Sequence, residues 1–341
     1  MPTTLAIEAF LQAHGVLIDV RTPAEFAQGH LPGARNLPLF SDDERAEVGT
    51  LYKHSGRQAA VQRGLALVGP RLAQLAEALI AAHGQEAEKP LRVHCWRGGL
   101  RSASVAWLAS TLDLPVVILE EGYKAYRRWV LALMEEAWPV RLLGGRTGAG
   151  KTELLIALAA KGVAVVDLEG LAHHRGSSFG GLGQPPQPSS EQFENRLAQA
   201  LDGWRGAEQI WLEAESAQVG RCRIPAGLWR QMKAAPLLEV RRPLPERLRH
   251  LVAIYGGQDP NALVEATERI SKRLGPQRTA AAVEAIRQGE MERACAQMLD
   301  YYDRCYDTDT AAHRATAVEL GERSPEESAE LLLREGLVRR A

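Results

Sequence analysis

No run of apolar residues in this chain reaches the roughly 18 that a bilayer-spanning helix needs. The opening Met1-Pro2-Thr3-Thr4 lacks the basic start and apolar core of a secretory signal. Cysteine is scarce, with Cys95, Cys222, Cys295 and Cys305 the four present. None stands in a C-x-x-C spacing, so neither a disulfide framework nor a zinc site is indicated. There is no internal repeat. These absences lead to the expectation of a cytoplasmic chain with no membrane partner. An excess of one charge sign is missing too: the net charge of −1 argues against wholesale coating of nucleic acid. The average hides a local bias, because residues 217–280 hold ten Arg and two Lys against four Glu and one Asp. Such a segment is either a set of solvated helical faces or a phosphate-contacting surface.

What is present suits two globular domains. The length of 341 residues can bury two cores, and 45% hydrophobic with 24% charged residues is ordinary for a globular protein. Apolar runs at Val16–Val20, Leu91–His94 and Val116–Leu119 alternate with helical patterns such as Arg71–His83, which predicts a parallel sheet covered by helices. Trp138-Pro139 interrupts the helical pattern running from Gly122 to Ala137, so the expected domains are 1–138 and 139–341. The second is also α/β, with strand candidates at Val140–Leu143, Val163–Asp167, Gln209–Glu213 and Leu237–Val240. From Asn261 onward the pattern is helical, including a long stretch from Arg278 to Tyr302. Residues 173–190, rich in Gly, Ser and Pro, read as a long loop of the kind that is functional or disordered.

Two stretches carry chemistry. In His94-Cys95-Trp96-Arg97-Gly98-Gly99-Leu100-Arg101-Ser102, a cysteine heads a glycine-containing loop that leads into a helical pattern. Backbone amides and a helix N-terminus gathered around one sulfur favour the thiolate and hold an anion beside it. Cys95, Arg97 and Arg101 are the candidate catalytic residues. The pattern H-C-x5-R-S also fits a phosphatase, so the loop alone leaves two chemistries open. The second stretch, Gly145-Arg146-Thr147-Gly148-Ala149-Gly150-Lys151-Thr152, matches G-x-x-x-x-G-K-[ST] between an expected strand and an expected helix. Gly145, Thr147, Gly148 and Gly150 would cradle a diphosphate, Lys151 would neutralise it, and the Thr152 hydroxyl would reach Mg²⁺. Asp167 and Glu213 are candidates for the acidic side of that metal. His174, Arg175, Ser177 and Ser178 stand where they could meet phosphate or substrate. Two adjacent His without a third ligand speak against zinc, and no direct protein cluster for a metal is evident.

The surroundings decide between the two chemistries of the cysteine loop. Asp19-Val20-Arg21, then Gly29-His30-Leu31-Pro32-Gly33-Ala34-Arg35-Asn36, then Glu121-Gly122-Tyr123 resemble the signature of the rhodanese family, whose loop cysteine carries sulfur or selenium. The loop is one residue longer than is usual in sulfurtransferases, room enough for a phosphate-sized group. With the P-loop, His174-Arg175-Gly176-Ser177-Ser178-Phe179-Gly180, Gln192-Phe193-Glu194-Asn195, Glu213-Ala214-Glu215-Ser216, Ser271-Lys272-Arg273-Leu274-Gly275 and Tyr301-Tyr302-Asp303, the chain resembles the tRNA 2-selenouridine synthase family over nearly its whole length.

That resemblance implies a rhodanese-like parallel-sheet domain joined to a P-loop NTPase-like α/β domain with a helical C-terminal part. It implies exchange of sulfur for selenium in 2-thiouridine at the tRNA wobble position, with an S-geranyl intermediate. Geranyl diphosphate and selenophosphate would be co-substrates, Mg²⁺ an accompanying ion, and a selenophosphate-supplying enzyme a partner. Cys95 would carry selenium, accept the displaced group or shape the selenophosphate site, and the sequence leaves these three open. The basic segment then gains weight as a tRNA surface, with Arg221, Arg223, Lys272 and Arg273 foremost. A sulfurtransferase coupled to a nucleotide-dependent kinase for a small metabolite is the alternative. It leaves the matches beyond residue 170 without a purpose.

Overall fold

The protein was analysed as a computed structural model that describes residues 2–310 and 315–341. It divides into two compact units, Met1–Leu133 and Met134–Ala341. In the first, strands β1 (Thr3–Leu5), β2 (Leu17–Asp19), β3 (Arg35–Asn36), β4 (Leu91–His94) and β5 (Val116–Leu119) form one parallel sheet in the order β1-β5-β4-β2-β3. A parallel sheet is covered on both faces, so its strands read as near-continuous apolar runs. Leu17, Ile18, Leu91, Val93 and Leu119 are accordingly buried. Capping boxes at Thr22/Glu25 and Ser41/Glu44 start two of its helices by satisfying amides that have no partner within the helix.

One helical stretch, Asp42–His83, contains an 18-residue window of mean hydropathy 1.4, of which 22% is buried, so by length and composition alone it could cross a membrane. A count of uninterrupted apolar residues misses it because charged and polar residues punctuate the run. The stretch bends at Gly56 (φ 83°) and passes through a 3-10 turn at Gly69–Arg71 that contains Pro70. Beyond that turn, Leu75, Leu79 and Ala82 pack into the same core as Leu91 and Val93.

The second unit holds a four-stranded parallel sheet, β6 (Val140–Gly144), β7 (Ile210–Glu213), β10 (Leu237–Arg241) and β11 (Ala315–Glu319), in the order β11-β10-β6-β7. A short antiparallel hairpin joins β8 (Gln218–Val219) and β9 (Cys222–Arg223). Three sequence expectations need correction. Residues 163–167 form no strand; Val165 makes a single bridge to Trp211, and Asp167 already caps the next helix. The expected long helix over 278–302 is two helices, Pro276–Arg287 and Met291–Thr310, separated at Gly289 (φ 75°). The region after Asn261 is also not helical throughout, because β11 extends the sheet edge beside β10. Its burial pattern is mostly exposed, so it lacks the apolar signature that marks the inner strands. The helices between Leu244 and Thr310 build a separate apolar core around Leu248, Leu263, Ile286 and Met298.

Candidate functional site

In the first unit, β4 delivers Cys95 to the sheet's C-terminal edge, where it is only 3% exposed. The helix Leu100–Thr111 follows with Gly99 as N-cap and no side chain on its free amides. That end of the helix is thus left able to stabilise an anion. Cys95 Sγ lies 3.2 Å from Ser102 Oγ, which also donates to the Gly99 carbonyl at 3.1 Å. Reorienting one hydroxyl proton would let Ser102 donate to a thiolate instead. Trp96 and Arg97 are exposed beside the cysteine. Arg101 makes a two-pronged pair with Glu25, at 2.5 and 3.2 Å, so its guanidinium orients the loop through an acid of another element.

The loop is held from behind by backbone. Tyr123 N donates to the Cys95 carbonyl at 2.8 Å and Lys124 N to that of Trp96 at 3.0 Å. Gly122 (φ 59°) sits so close that a Cβ there would collide with the Cys95 carbonyl and the Gly98 amide. Asp19, Arg21 and His94 lie beneath, all fully buried. Arg21 donates to both Asp19 oxygens and to the Gly29 carbonyl, and its guanidinium lies 3.8 Å from the Tyr123 ring centre. Burial drives His94 down to about 4, against the pull of Asp19, so it is neutral at pH 7. Burial disfavours the Asp19 charge, but His94 and Arg21 outweigh it and hold that carboxyl below its usual value.

In the second unit, Gly145 (φ 155°), Gly148 (φ 81°) and Gly150 (φ 74°) shape the P-loop ahead of the helix Lys151–Ala160. A Cβ on Gly145 would lie 2.7 Å from the Val240 carbonyl, and one on Gly148 2.7 Å from that of Arg247, so glycine is required at both. Lys151 Nζ donates to the Gly145 carbonyl at 2.9 Å, placing its charge inside the loop's own curve. Arg242 donates to the Ala149 carbonyl and Arg247, itself paired with Asp303, to that of Thr147. Turning carbonyls outward onto arginines leaves the amides free to face a ligand.

The acidic residues divide by role. Asp167 caps the helix Leu168–Ala172 by accepting from Gly170 N at 2.7 Å. Glu213 is fully buried and accepts from Leu168 N at 2.9 Å, while burial and the nearby Asp167 and Glu169 raise its carboxyl far above the usual range. The carboxylate that meets the P-loop is Glu169, which accepts from Thr152 Oγ1 at 2.7 Å and shares a hydrogen bond with Glu215. Burial lifts Glu169 above its ordinary value, against the charge of Lys151. Glu215 in turn lies against Gly176, between Arg175 and Ser177. A line of polar groups therefore runs from Thr152 to the Gly-Ser loop. Among the described residues no three His, Cys, Asp or Glu side chains are arranged to hold a metal ion.

In that loop Ser177 faces the Tyr255 hydroxyl and Ser178 that of Tyr302. Arg175 donates to the Leu182 carbonyl, and burial lowers His174 below its usual value. Arg221, Arg223, Lys272 and Arg273 are all exposed, the first pair on the β8–β9 hairpin and the second on the short helix Ser271–Leu274. Arg221 reaches the Gln187 carbonyl and Arg273 the Tyr301 hydroxyl. Much of the basic excess is answered internally, since Arg230 pairs with Glu135, Arg241 with Glu239, Arg247 with Asp303 and Arg278 with Asp300. Glu25, Glu169, Glu215, Arg242 and Arg247 escaped sequence reasoning, because nothing in their local spacing ties them to loops that only the fold brings near.

Residues 138–332 match the tRNA 2-selenouridine synthase AAA domain, and residues 5–128 match the rhodanese-like domain. A tRNA 2-selenouridine synthase of Marinobacter nauticus is 39% identical over 328 residues, covering 85% of this chain and 87% of its own. One from Pseudomonas fluorescens strain Pf0-1 is 38% identical over 325 residues, with the same coverage of 85% and 87%. One from Hahella chejuensis is 45% identical over 253 residues, covering 70% of this chain and 63% of its own.

Proposed function

The chain belongs to the tRNA 2-selenouridine synthase family, and from that premise we propose that it converts 2-thiouridine at the tRNA wobble position to 2-selenouridine through an S-geranyl intermediate. The observation that carries this reading is the presence of two anion cradles of different kinds: one built around the buried thiol of Cys95, the other around Lys151. In the first step the thiocarbonyl sulfur attacks C1 of geranyl diphosphate. The S–C1 bond forms as the C1–O bond breaks, and diphosphate leaves with the electron pair. The P-loop amides and Lys151 stabilise the charge that develops on the leaving oxygens. Lys151 would exchange its bond to the Gly145 carbonyl for one to phosphate. Thr152 and Glu169 fit a divalent cation, since a hydroxyl 2.7 Å from a buried carboxyl of raised pKa offers oxygen ligands that a cation would hold deprotonated. Mg²⁺ bound there would supply further charge neutralisation.

In the second step selenium of selenophosphate attacks C2 and the geranyl thiolate departs, taking up a proton. Water then cleaves the Se–P bond to release phosphate. Cys95 serves this half, on a loop whose amides and Ser102 stabilise negative charge. The exposed Arg221, Arg223, Lys272 and Arg273 supply phosphate contacts for tRNA, which makes binding weaken steeply with salt.

Mass spectrometry of the wobble nucleoside tests the division of labour, with the 2-thiouridine tRNA given geranyl diphosphate and selenophosphate separately and together. Cys95→Ala should abolish selenation and leave geranylation measurable. Lys151→Ala should lower geranylation by about 10²–10³-fold. Undiminished geranyl transfer by Lys151→Ala, or its loss in Cys95→Ala, would refute the assignment.

A further inference from the structure

A narrow cleft in the second unit begins at the P-loop and runs into the helical core. Thr147 of the P-loop and Ser177 of the Gly-Ser loop line it, with Phe179, Leu263, Ile286, Cys295, Met298 and Leu299 among the remaining walls. The hydroxyls of Tyr255 and Tyr302, which also line it, are turned to Ser177 and Ser178. What remains toward the interior is hydrocarbon and sulfur. Burial even pushes the Cys295 thiol up to about 11, so that wall stays uncharged.

We infer that this cleft is the site of the hydrocarbon tail of a prenyl diphosphate whose head group lies in the P-loop. The inference rests on the reading that Gly145–Thr152 cradles a diphosphate, and adds where the rest of that molecule goes. Three observations carry it. The cleft starts at a P-loop residue, so head and tail sites are continuous. Its lining would leave the polar edge of a nucleobase without partners, which disfavours a nucleotide. The walls can also yield. The free volume is about 30 Å³, too little for a ten-carbon chain, so the tail must displace side chains. Met291 and Met298 line the cleft and are unbranched thioethers that repack easily. Phe179 sits on a loop between Gly176 (φ 66°) and Gly183 (φ 68°), apart from the sheet.

Calorimetric titration of the full-length protein with inorganic diphosphate and with geranyl diphosphate tests this. Wild type should bind the geranyl compound at least about tenfold more tightly, about 1.4 kcal/mol. Met298→Trp, which fills the cleft, should remove most of that preference and leave inorganic diphosphate affinity unchanged. Equal affinities in wild type, or a preference intact in Met298→Trp, would overturn the tail site while leaving the diphosphate cradle standing. Failure of wild type to bind either compound would instead refute the cradle itself. Should Met298→Trp lose both ligands through misfolding, wild type decides alone. A geranyl diphosphate analogue with a diazirine at the far end of its tail should crosslink to Phe179 or to residues 286–299, and crosslinks confined to other segments would overturn the inference.

Discussion

The two loops share a plan, strand then glycine turn then helix with no side chain capping its first amides, yet they are stiffened in opposite ways. Around Cys95 the support is covalently fixed backbone and a buried charged pair: the 121–123 turn behind, Asp19 and Arg21 below. Around Lys151 the support is long side chains, Arg242 and Arg247, holding carbonyls outward. The first arrangement presents a nucleophile whose position must not vary. The second keeps a cationic side chain on a replaceable internal bond, as a loop that exchanges ligands requires.

Removing one partner of the buried pair should break the first loop most severely. Arg21→Leu leaves Asp19 charged, fully buried and without its main donor, and should cost about 3–5 kcal/mol in urea unfolding. A loss below 1 kcal/mol would mean that the pair is incidental to the loop. Next in size is a pH effect confined to the same loop. His94 is neutral in the folded state down to about 4, whereas an unfolded histidine takes up a proton near 6.5. The unfolded chain therefore binds more protons in that window, and stability should fall by about 3 kcal/mol as pH drops from 6.5 to 4. His94→Gln should flatten this slope, and an unaltered slope would show that other groups cause it.

Paired glycine substitutions sharpen the contrast at about 1–3 kcal/mol each. Gly122→Ala forces a Cβ into the Cys95 carbonyl, and should reduce selenation while sparing diphosphate binding. Gly148→Ala pushes on the Arg247 carbonyl and should do the reverse. If both variants impair the same step, the loops are not separable. The smallest expected effect concerns Glu213. Folded protein keeps a proton there that unfolded glutamate releases above about 4.5, so this residue lowers stability as pH rises from that value towards its raised folded pKa. Glu213→Gln should keep the bond from Leu168 N and raise the melting temperature at pH 8 more than at pH 5.

Local pattern made much of the molecule readable. The strands bearing both loops, the glycines and the nucleophile all sit in short contiguous segments whose apolar runs and spacing are the physical cause of the structure they adopt. Legibility failed where position depends on distant partners. Strand β11 is exposed along most of its length and becomes a strand only because β10 offers it an edge. Residues 163–167 have the composition of a strand but approach β7 at one residue alone. The acidic candidates show the same limit: Asp167, Glu169 and Glu213 are close in type and chain position, and their burial and partners separate a cap, a ligand contact and a protonated core acid. The basic segment shows it as well, since its excess charge is spread along the sequence but largely answered in space.

The motifs alone thus established two anion-binding loops on two α/β sheets, because backbone conformation at glycine and the amide field at a helix start are properties of a few neighbouring residues. Only the tertiary structure decided which charges remain free, which carboxyl meets Thr152, and that an apolar cleft begins where the P-loop does. Those depend on burial and on contacts between residues far apart in the chain, and both exist only once the chain has packed.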